Sequence, residues 1–182
     1  MIELRPATPG DAPGVADLHA LSWRSAYRGQ FSDAFLGGDV LTDRIHVWTE
    51  RLQQPDPHQE VMIAENSGEL VGFSCTYAND HPQWGTLLDN LHVHPSTKGK
   101  GVGSALLSDV AQQCHRQTPV SGLYLWVLDA NQNARRFYER HGGRLAGEEL
   151  WSPPDGGSIK RLRYAWSADA LPLARGNMMV SP

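Results

Sequence analysis

The sequence predicts a mixed α/β (α+β) fold built on one central sheet, and three observations lead to it. Short stretches that are apolar, or that alternate apolar with polar residues, recur along most of the chain, which is typical of strands. Longer stretches with apolar residues at helical spacing lie between them. With 182 residues, of which 40% are hydrophobic, the chain can bury one full core. Strands and helices interleaved in a chain of this size predict one domain with a central mixed sheet.

The N-terminal third predicts one strand followed by two helices. Residues 2–5 alternate apolar and polar side chains, as a strand with one buried face does. Thr8, Pro9 and Asp11 offer an N-cap, a proline at the first helical position and an acidic third position, so the first helix is expected from here to near Gly29. A second helix is predicted from four apolar residues at helical spacing, which are Leu41, Ile45, Trp48 and Leu52.

The rest of the chain predicts three strands, a helix, a strand, a helix and two final strands. The first two strands, residues 61–65 and 70–77, are expected to form a hairpin. A third strand is predicted at residues 86–93, a helix from the following glycine-rich turn up to Pro119, and a strand at 123–128. The last helix is predicted at 131–140 and the two final strands at 144–149 and 159–166. No period follows Trp166, so we expect a domain over residues 1–166 and a loose tail or a partner-packing arm over residues 167–182.

The overall charge and the cysteine count limit the classes of function. A net charge of −4 argues against a nucleic-acid-binding surface and fits a cationic or neutral small substrate such as an amine. Cys75 and Cys114 lack metal-ligand spacing and are expected to be free thiols. The first residues lack the apolar core of a signal peptide, and no apolar run reaches membrane-spanning length, so we expect a cytoplasmic protein that does not bind membranes.

The segment over residues 89–107 predicts a phosphate site. It runs from an apolar strand through a basic, glycine-rich turn into a helix, so free backbone N–H groups of the turn and of the helix N-terminus face one point. Gly99, Gly101 and Gly103 let the backbone approach an anion without a Cβ in the way. Lys98 and Lys100 add positive charge.

Two common phosphate motifs do not match this segment. A P-loop needs Gly-Lys followed by Ser or Thr, whereas Lys100 is followed by Gly101. A dinucleotide-binding turn needs a third glycine where this chain has Ser104 or Leu106, depending on which pair of glycines is counted. The P-loop is therefore excluded, and the match to a dinucleotide-binding turn is weak.

A second motif lies one apolar strand further along the chain. It reads Asn131, Ala134, Phe137, Tyr138 and Gly142 at spacings that place the aromatic residues on adjacent positions of a helix. Considered alone, Tyr138 is explained as a core aromatic residue that packs the helix onto the sheet.

Together the two motifs resemble those of the GNAT superfamily of N-acetyltransferases. The glycine-rich turn is similar to the family's acyl-CoA-binding pattern Gln/Arg-x-x-Gly-x-Gly/Ala, with Lys98 where Gln or Arg is usual. The helix resembles the pattern Asn-x-x-Ala-x-x-Phe/Leu-Tyr, in which the tyrosine lies near the thioester sulfur. The element order over residues 2–166 also resembles that of the family. The resemblance implies a mixed, mostly antiparallel sheet flanked by about four helices, with a V-shaped gap between its two middle strands.

The resemblance further implies an enzyme that uses acetyl-CoA as cosubstrate, needs no metal, and acetylates a primary amine of a small molecule or peptide. The amine would attack the thioester directly in a ternary complex, and Tyr138 would give a proton to the departing thiolate. By analogy with the family, the CoA-binding residues are expected to be Leu91, His92, Val93, Lys98, Gly99, Lys100, Gly101, Val102, Gly103, Ser104, Asn131, Ala134, Phe137 and Tyr138.

The general base is open between Asp89, His92 and a chain of waters. Asp89 lies where some family members carry a Glu or His base, and His92 is the better intrinsic match for neutral pH. The alternative is that Asp89 pairs at the strand end and that His92 is a half-exposed strand residue. His92 and His94 are spaced as a metal pair, but no third ligand of matching spacing follows, so no metal is expected.

The substrate surface and the assembly state are less defined by the sequence. Trp23 and Tyr27 lie one turn apart and are candidates to wall an amine site, although both are also explained by packing of the first helix onto the sheet. Family analogy suggests a homodimer. The alternative function is a catalytically weak CoA-binding sensor or partner-binding module.

Overall fold

The computed structural model describes residues 2–26, 35–117, 121–152 and 156–172. Over these residues, seven strands form one sheet in the order β1-β2-β3-β4-β5-β7-β6. The elements are β1 (Ile2–Pro6), α1 (Ala12–Ala26), α2 (Val40–Gln53), β2 (Gln59–Asn66), β3 (Glu69–His81), β4 (Gly85–Val93), α3 (Val102–Gln117), β5 (Leu123–Leu128), α4 (Gln132–Arg140), β6 (Arg144–Trp151) and β7 (Ile159–Trp166). The predicted fold class and element order are confirmed.

The sheet is covered on both faces by helices. Alternate residues of β2 and β3 point to opposite faces, because side chains along a strand have a period of two. Val61 and Ile63 pack with α1 and α2, whereas Met62 and Ala64 pack with α3. Cys75 and Cys114 are both buried, and neither forms a disulfide, as expected. None of the helices in the described ranges is long and apolar enough to cross a membrane.

Helix α2 buries a different stripe from the predicted one. Val40, Arg44, Trp48 and Leu52 are the buried residues of this helix, whereas Ile45 is 42% exposed. Arg44 tolerates this position because its Nε donates to Asp43 Oδ2 at 2.8 Å and its guanidinium lies 4.4 Å from the ring centroid of Trp23. A buried arginine whose charge is compensated was not predictable from apolar spacing alone.

The start of α1 also differs from the prediction in its geometry. Pro9–Asp11 forms a turn of 3-10 helix, and the α-helix begins only at Ala12. The backbone N–H of Thr8 donates to Asp11 Oδ2 at 2.7 Å, as a capping residue pair does. Arg5 also donates to Asp11, and this bond is the main cause of a pKa for Asp11 well below its usual range.

A gap opens in the middle of the sheet. Strands β4 and β5 are parallel and pair only at Thr86 with Leu123 and at Leu87 with Tyr124, whereas the other neighbouring strands are antiparallel. Just beyond this pairing, β4 carries a bulge at Asp89, because Thr76 and Cys75 of β3 pair with Leu88 and Asn90. A bulge bends and twists its strand, so β4 turns away from β5.

The segment that follows β7 packs on the domain through Leu171. Leu171 is 8% exposed and belongs to the same core cluster as Trp166. Residues 173–182 lie outside the described residues, so the predicted partner-packing arm stays a prediction.

Candidate active site

Two cavities adjoin across the gap between β4 and β5. The first, of about 630 Å³, lies among the glycine-rich turn, α3 and α4, and we name it the glycine-turn cavity. The second, of about 470 Å³, is lined by α1, α2, β6 and β7 and is named the aromatic cavity. They share five lining residues, which are Leu88, Asp89, Asn90, His92 and Trp126. A ligand on one side of the sheet can therefore reach a ligand on the other.

The glycine-rich turn needs two of its three glycines for backbone conformation and the third for space. Gly99 and Gly101 have φ angles of 78° and 85°, in the left-handed region that other residues rarely adopt. A Cβ on Gly103 would lie 3.4 Å from Phe137 Cζ and 3.5 Å from Val93 Cγ2. The turn leads into α3, where the backbone N–H of Ala105 makes a bond to the carbonyl of Gly101. The N–H groups that precede Ala105 in the first turn are geometrically available to an anion.

The predicted CoA-binding residues lie together, with two exceptions. All except Lys100 and Val102 line the glycine-turn cavity. Lys100 is exposed outside the lining, and the side chain of Val102 is 1% exposed, packed in the core with Met62 and Leu106. Val102 could face a ligand only through its backbone.

Helix α4 holds Tyr138 against both the core and the cavity. Asn131 caps the N-terminus of this helix, and its Oδ1 accepts the backbone N–H of Ala134 at 3.2 Å. Tyr138 is 8% exposed, and its ring centroid lies 6.1 Å from that of Trp166 and 6.4 Å from that of Tyr164. The core role suggested by spacing and the cavity position suggested by the resemblance are therefore compatible.

His141 joins α4 to the glycine-rich turn, a contact that the sequence analysis missed. Its Nδ1 lies 2.8 Å from the carbonyl oxygen of Phe137, and its Nε2 lies 3.0 Å from Ser104 Oγ. Because a carbonyl can only accept, Nδ1 carries a proton, and in the neutral ring Nε2 accepts from the Ser104 hydroxyl. The spacing of four residues between Phe137 and His141 was the available signal.

His92 lies on the wall between the two cavities, in a setting that disfavours its charged form. Its ring centroid is 4.5 Å from that of His19 and 5.2 Å from that of Phe73. Burial, followed by the charges of Arg44 and Lys98, lowers the pKa of His92 to about 3. The surroundings of His92 thus oppose protonation of an imidazole whose intrinsic pKa suits neutral pH, and His92 stays a candidate base.

Asp89 sits at the bulge and forms an ion pair. Its Oδ2 accepts Nη1 of Arg51 at 2.8 Å and Nδ2 of Asn90 at 2.5 Å. The contact with α2 was not expected from the sequence, since Arg51 lies 38 positions earlier. Both Asp89 and Arg51 line the aromatic cavity.

The aromatic cavity combines aromatic rings with arginines. Trp23, a candidate for a substrate wall, lines it and also packs in a core cluster with Ala20 and Val40, so both interpretations stay open. Tyr27 lies outside the described residues. Trp126 and Trp151, for which the sequence left the same choice between substrate wall and packing open, also line it, whereas Trp84 does not. Sequence reasoning missed four further lining residues, which are Arg44, Arg51, Tyr124 and Arg161. The alternation in β7, with Leu162, Tyr164 and Trp166 buried, was the signal that Arg161 and Arg163 share the opposite face.

His94, the second histidine of the suggested metal pair, makes a hydrogen bond within a local turn. Nδ1 of His94 lies 2.7 Å from Ser96 Oγ, at the start of the turn Pro95–Thr97. Among the described residues, no group of three or more His, Cys, Asp or Glu side chains is arranged to hold a metal ion.

Comparisons with known proteins agree with this architecture. The model of the Acetyltransferase (GNAT) family matches residues 31–143, more than half of the chain. A Mycobacterium tuberculosis protein named as a probable N-acetyltransferase is 28% identical, covering 94% of this chain and 97% of its own. An uncharacterized N-acetyltransferase of Bacillus subtilis is 30% identical over 78% of this chain and 89% of its own.

A solved structure shares the fold. The PaiA N-acetyltransferase of Thermoplasma acidophilum, crystallised in complex with coenzyme A, superposes with a TM-score of 0.67 at 18% identity, covering 91% of this chain and 99% of that chain. With the family model, the relatives and the fold in agreement, the chain belongs to the GNAT family of acetyltransferases.

Proposed function

We propose that the protein transfers the acetyl group of acetyl-CoA to a primary amine of a small molecule or peptide, by direct attack in a ternary complex. The observation that carries this proposal is the gap between β4 and β5, where the glycine-turn cavity and the aromatic cavity adjoin. One cavity suits the cosubstrate, the other suits the acceptor, and the reacting atoms would meet between them.

The glycine-turn cavity fits coenzyme A in the chemistry of its lining. The left-handed glycines, Lys98 and the first turn of α3 provide N–H groups and positive charge for a diphosphate. The strand segment Leu91 to Val93 lines the same cavity and offers backbone groups to a pantetheine arm. The PaiA structure named above contains coenzyme A, which supports this assignment.

The chain's own residues supply the proton transfers. The lone pair of a neutral amine forms the new C–N bond, the C–S bond breaks, and CoA leaves as a thiolate. Tyr138, in the cavity wall, would donate a hydrogen bond or a proton to that sulfur. A backbone N–H of β4 near Leu91 to Val93 would stabilise the transient oxyanion.

The amine must lose a proton before or during attack, because an alkylammonium has a pKa of about 10. His92 and Asp89 both line the passage between the cavities and remain the candidate bases beside a chain of waters. A diphosphate beside Lys98 would remove one of the charges that lower the pKa of His92. Burial and Arg44, the larger causes of the lowered pKa, would remain.

Release of free CoA from acetyl-CoA in the presence of amines tests this function. A panel should include amino acids, peptides, polyamines and aminoglycosides, with acetyl-CoA compared against longer acyl donors. Amine-dependent CoA release supports the transferase. Tight CoA binding without turnover of any amine would instead favour the sensor or partner-binding module.

A further inference from the structure

The aromatic cavity carries an excess of positive charge on its described lining. Three guanidinium groups line it, those of Arg44, Arg51 and Arg161, against one carboxylate, that of Asp89. His19 and His92 also line it, and their pKa values lie below the ordinary histidine value, first because of burial. At neutral pH both rings are uncharged. Each guanidinium is paired with a carboxylate, Arg44 with Asp43, Arg51 with Asp89 and Arg161 with Glu149, but of these three carboxylates only that of Asp89 lines the cavity.

The one lining carboxylate is already engaged. Asp89 accepts from both Arg51 and Asn90 through the same oxygen, Oδ2. It therefore holds Arg51 at the cavity wall, and part of its charge is compensated there. A polyamine, which carries several positive charges, would find this shared carboxylate as the one acidic side chain on the described lining.

The aromatic rings are also less suited to cations than their number suggests. The guanidinium carbon of Arg44 lies 4.4 Å from the centroid of Trp23. Those of Arg161 and Arg163 both lie 4.5 Å from the centroid of Trp126. The attraction of these ring faces for cations is thus used by the protein's own arginines. The rings provide apolar surface for a ligand to pack against, and the neighbouring arginines provide N–H donors.

From these contacts we infer that the acceptor is an amine that bears a carboxylate on an apolar or aromatic framework, as in an aromatic amino acid. This inference rests on the proposed function and names the substrate class of its acceptor site. Arginine binds carboxylates through two parallel N–H donors, which gives orientation as well as affinity. Arg161, whose Nε donates to Glu149 at 2.9 Å beside the rings of Trp126 and Trp151, is assigned as the main anchor.

The sharpest test compares two product-like ligands that differ by one charge. N-acetylphenylalanine and N-acetylphenylalaninamide lack a free amine, so the basicity of the acceptor does not enter. With the CoA-saturated protein, calorimetric titration should show the acid binding at least about tenfold more tightly than the amide. Equal binding, or no binding of either ligand, would overturn the inference.

Matched variants locate the anchor. Arg161→Gln should remove most of the preference for the acid, whereas Arg163→Gln should leave it, because Arg163 stacks on the same ring of Trp126 but does not line the cavity. Glu149→Gln frees Arg161 from its carboxylate partner and should strengthen binding of the acid two- to threefold. Glu148→Gln, which only breaks an ion pair to Lys160, should not. Equal effects within either pair of variants would contradict the assignment.

Turnover separates this inference from the proposed function. Amino acids should release CoA faster than the corresponding decarboxylated amines or spermidine. If polyamines are the better substrates, the transferase stands and the carboxylate site is wrong. If no amine is acetylated but the acid still binds more tightly than the amide, the carboxylate site stands and the transferase is wrong.

Discussion

Trp48 of α2 donates its indole N–H to Nδ1 of His19 on α1, over 2.9 Å, beneath the aromatic cavity. Both side chains are buried, and the bond leaves the proton of the neutral imidazole on Nε2. His19 in turn lies against His92, with ring centroids 4.5 Å apart. The bond therefore fixes the orientation of the His19 ring, which packs against His92 in the wall that the two cavities share.

We expect His19→Leu to lower the free energy of unfolding by about 1–3 kcal/mol, since it leaves the buried N–H of Trp48 without its acceptor. Urea unfolding at pH 7.5 measures the loss. His19→Gln, which retains an acceptor, serves as the control and should recover part of the stability. Equal stability of the wild type and His19→Leu would show that this bond contributes nothing.

The two histidines also predict a pH dependence of stability. The folded-state pKa values of His19 and His92 lie below the ordinary value of 6.5, so between the folded and unfolded values the unfolded chain binds more protons. Stability is then complete above pH 6.5 and falls as the pH is lowered, by up to about 1.4 kcal/mol per pH unit for each histidine. Asp11, whose pKa is also lowered, contributes a loss only below its ordinary value of 3.8.

Unfolding measured between pH 4.5 and 7 covers the range in which the histidines act, while Asp109, whose pKa is raised by burial, acts in the opposite direction. His92→Asn should flatten the dependence, because one of the two shifted groups is gone. A slope unchanged by this substitution would mean that other groups cause the loss of stability.

For Tyr138→Phe we expect kcat to fall by at least about tenfold, with acetyl-CoA binding nearly unchanged. The phenyl ring preserves the packing against Trp166 and Tyr164, while the hydroxyl that would serve the departing sulfur is lost. Tyr164→Phe is the matched control, since its hydroxyl bonds to Glu139 and does not line the glycine-turn cavity. Unchanged turnover of Tyr138→Phe would remove Tyr138 from the acid role.

Gly101→Ala should weaken CoA binding and destabilise the fold by about 1–2 kcal/mol, because a residue with a Cβ is strained at a φ of 85°. Gly68→Ala offers the matched control. Gly68 has a φ of 80° at the β2–β3 turn and lies outside the glycine-turn cavity. The control should lose similar stability without a change in CoA affinity, and a titration of both variants with CoA makes the comparison. Equal loss of affinity would trace the effect to general destabilisation.

Local sequence patterns were sufficient to predict the helices and strands and much of the lining of the glycine-turn cavity, because both depend on residues close together in the chain. The turn around Gly99 and Gly101 and the helix carrying Tyr138 each contain their own spacing signal. The lowered pKa of His92 was not predictable, since it depends on burial and on Arg44, which comes from another element. The bulge at Asp89 depends on its register with β3.

The aromatic cavity is the part that sequence reasoning missed most. It brings Arg44 and Arg51 of α2 together with Arg161 of β7. No local sequence pattern indicates that residues so far apart in the chain lie close together. The net charge of the chain does not describe this cavity either. Charge averaged over a molecule says little about the field inside one cavity.

The short pairing of β4 with β5 has a mechanical consequence. The sheet consists of two half-sheets, β1 to β4 and β5 to β7, and within the described part of the chain they are joined by two register pairs, at Thr86 and Leu87. A pantetheine arm bound in the gap would contact both half-sheets and restrict their motion relative to each other. Amide hydrogen exchange should therefore slow on CoA binding at Leu125 to Val127, on the far side of the gap, as well as at the glycine-rich turn. The cosubstrate would then stiffen the framework that positions the acceptor.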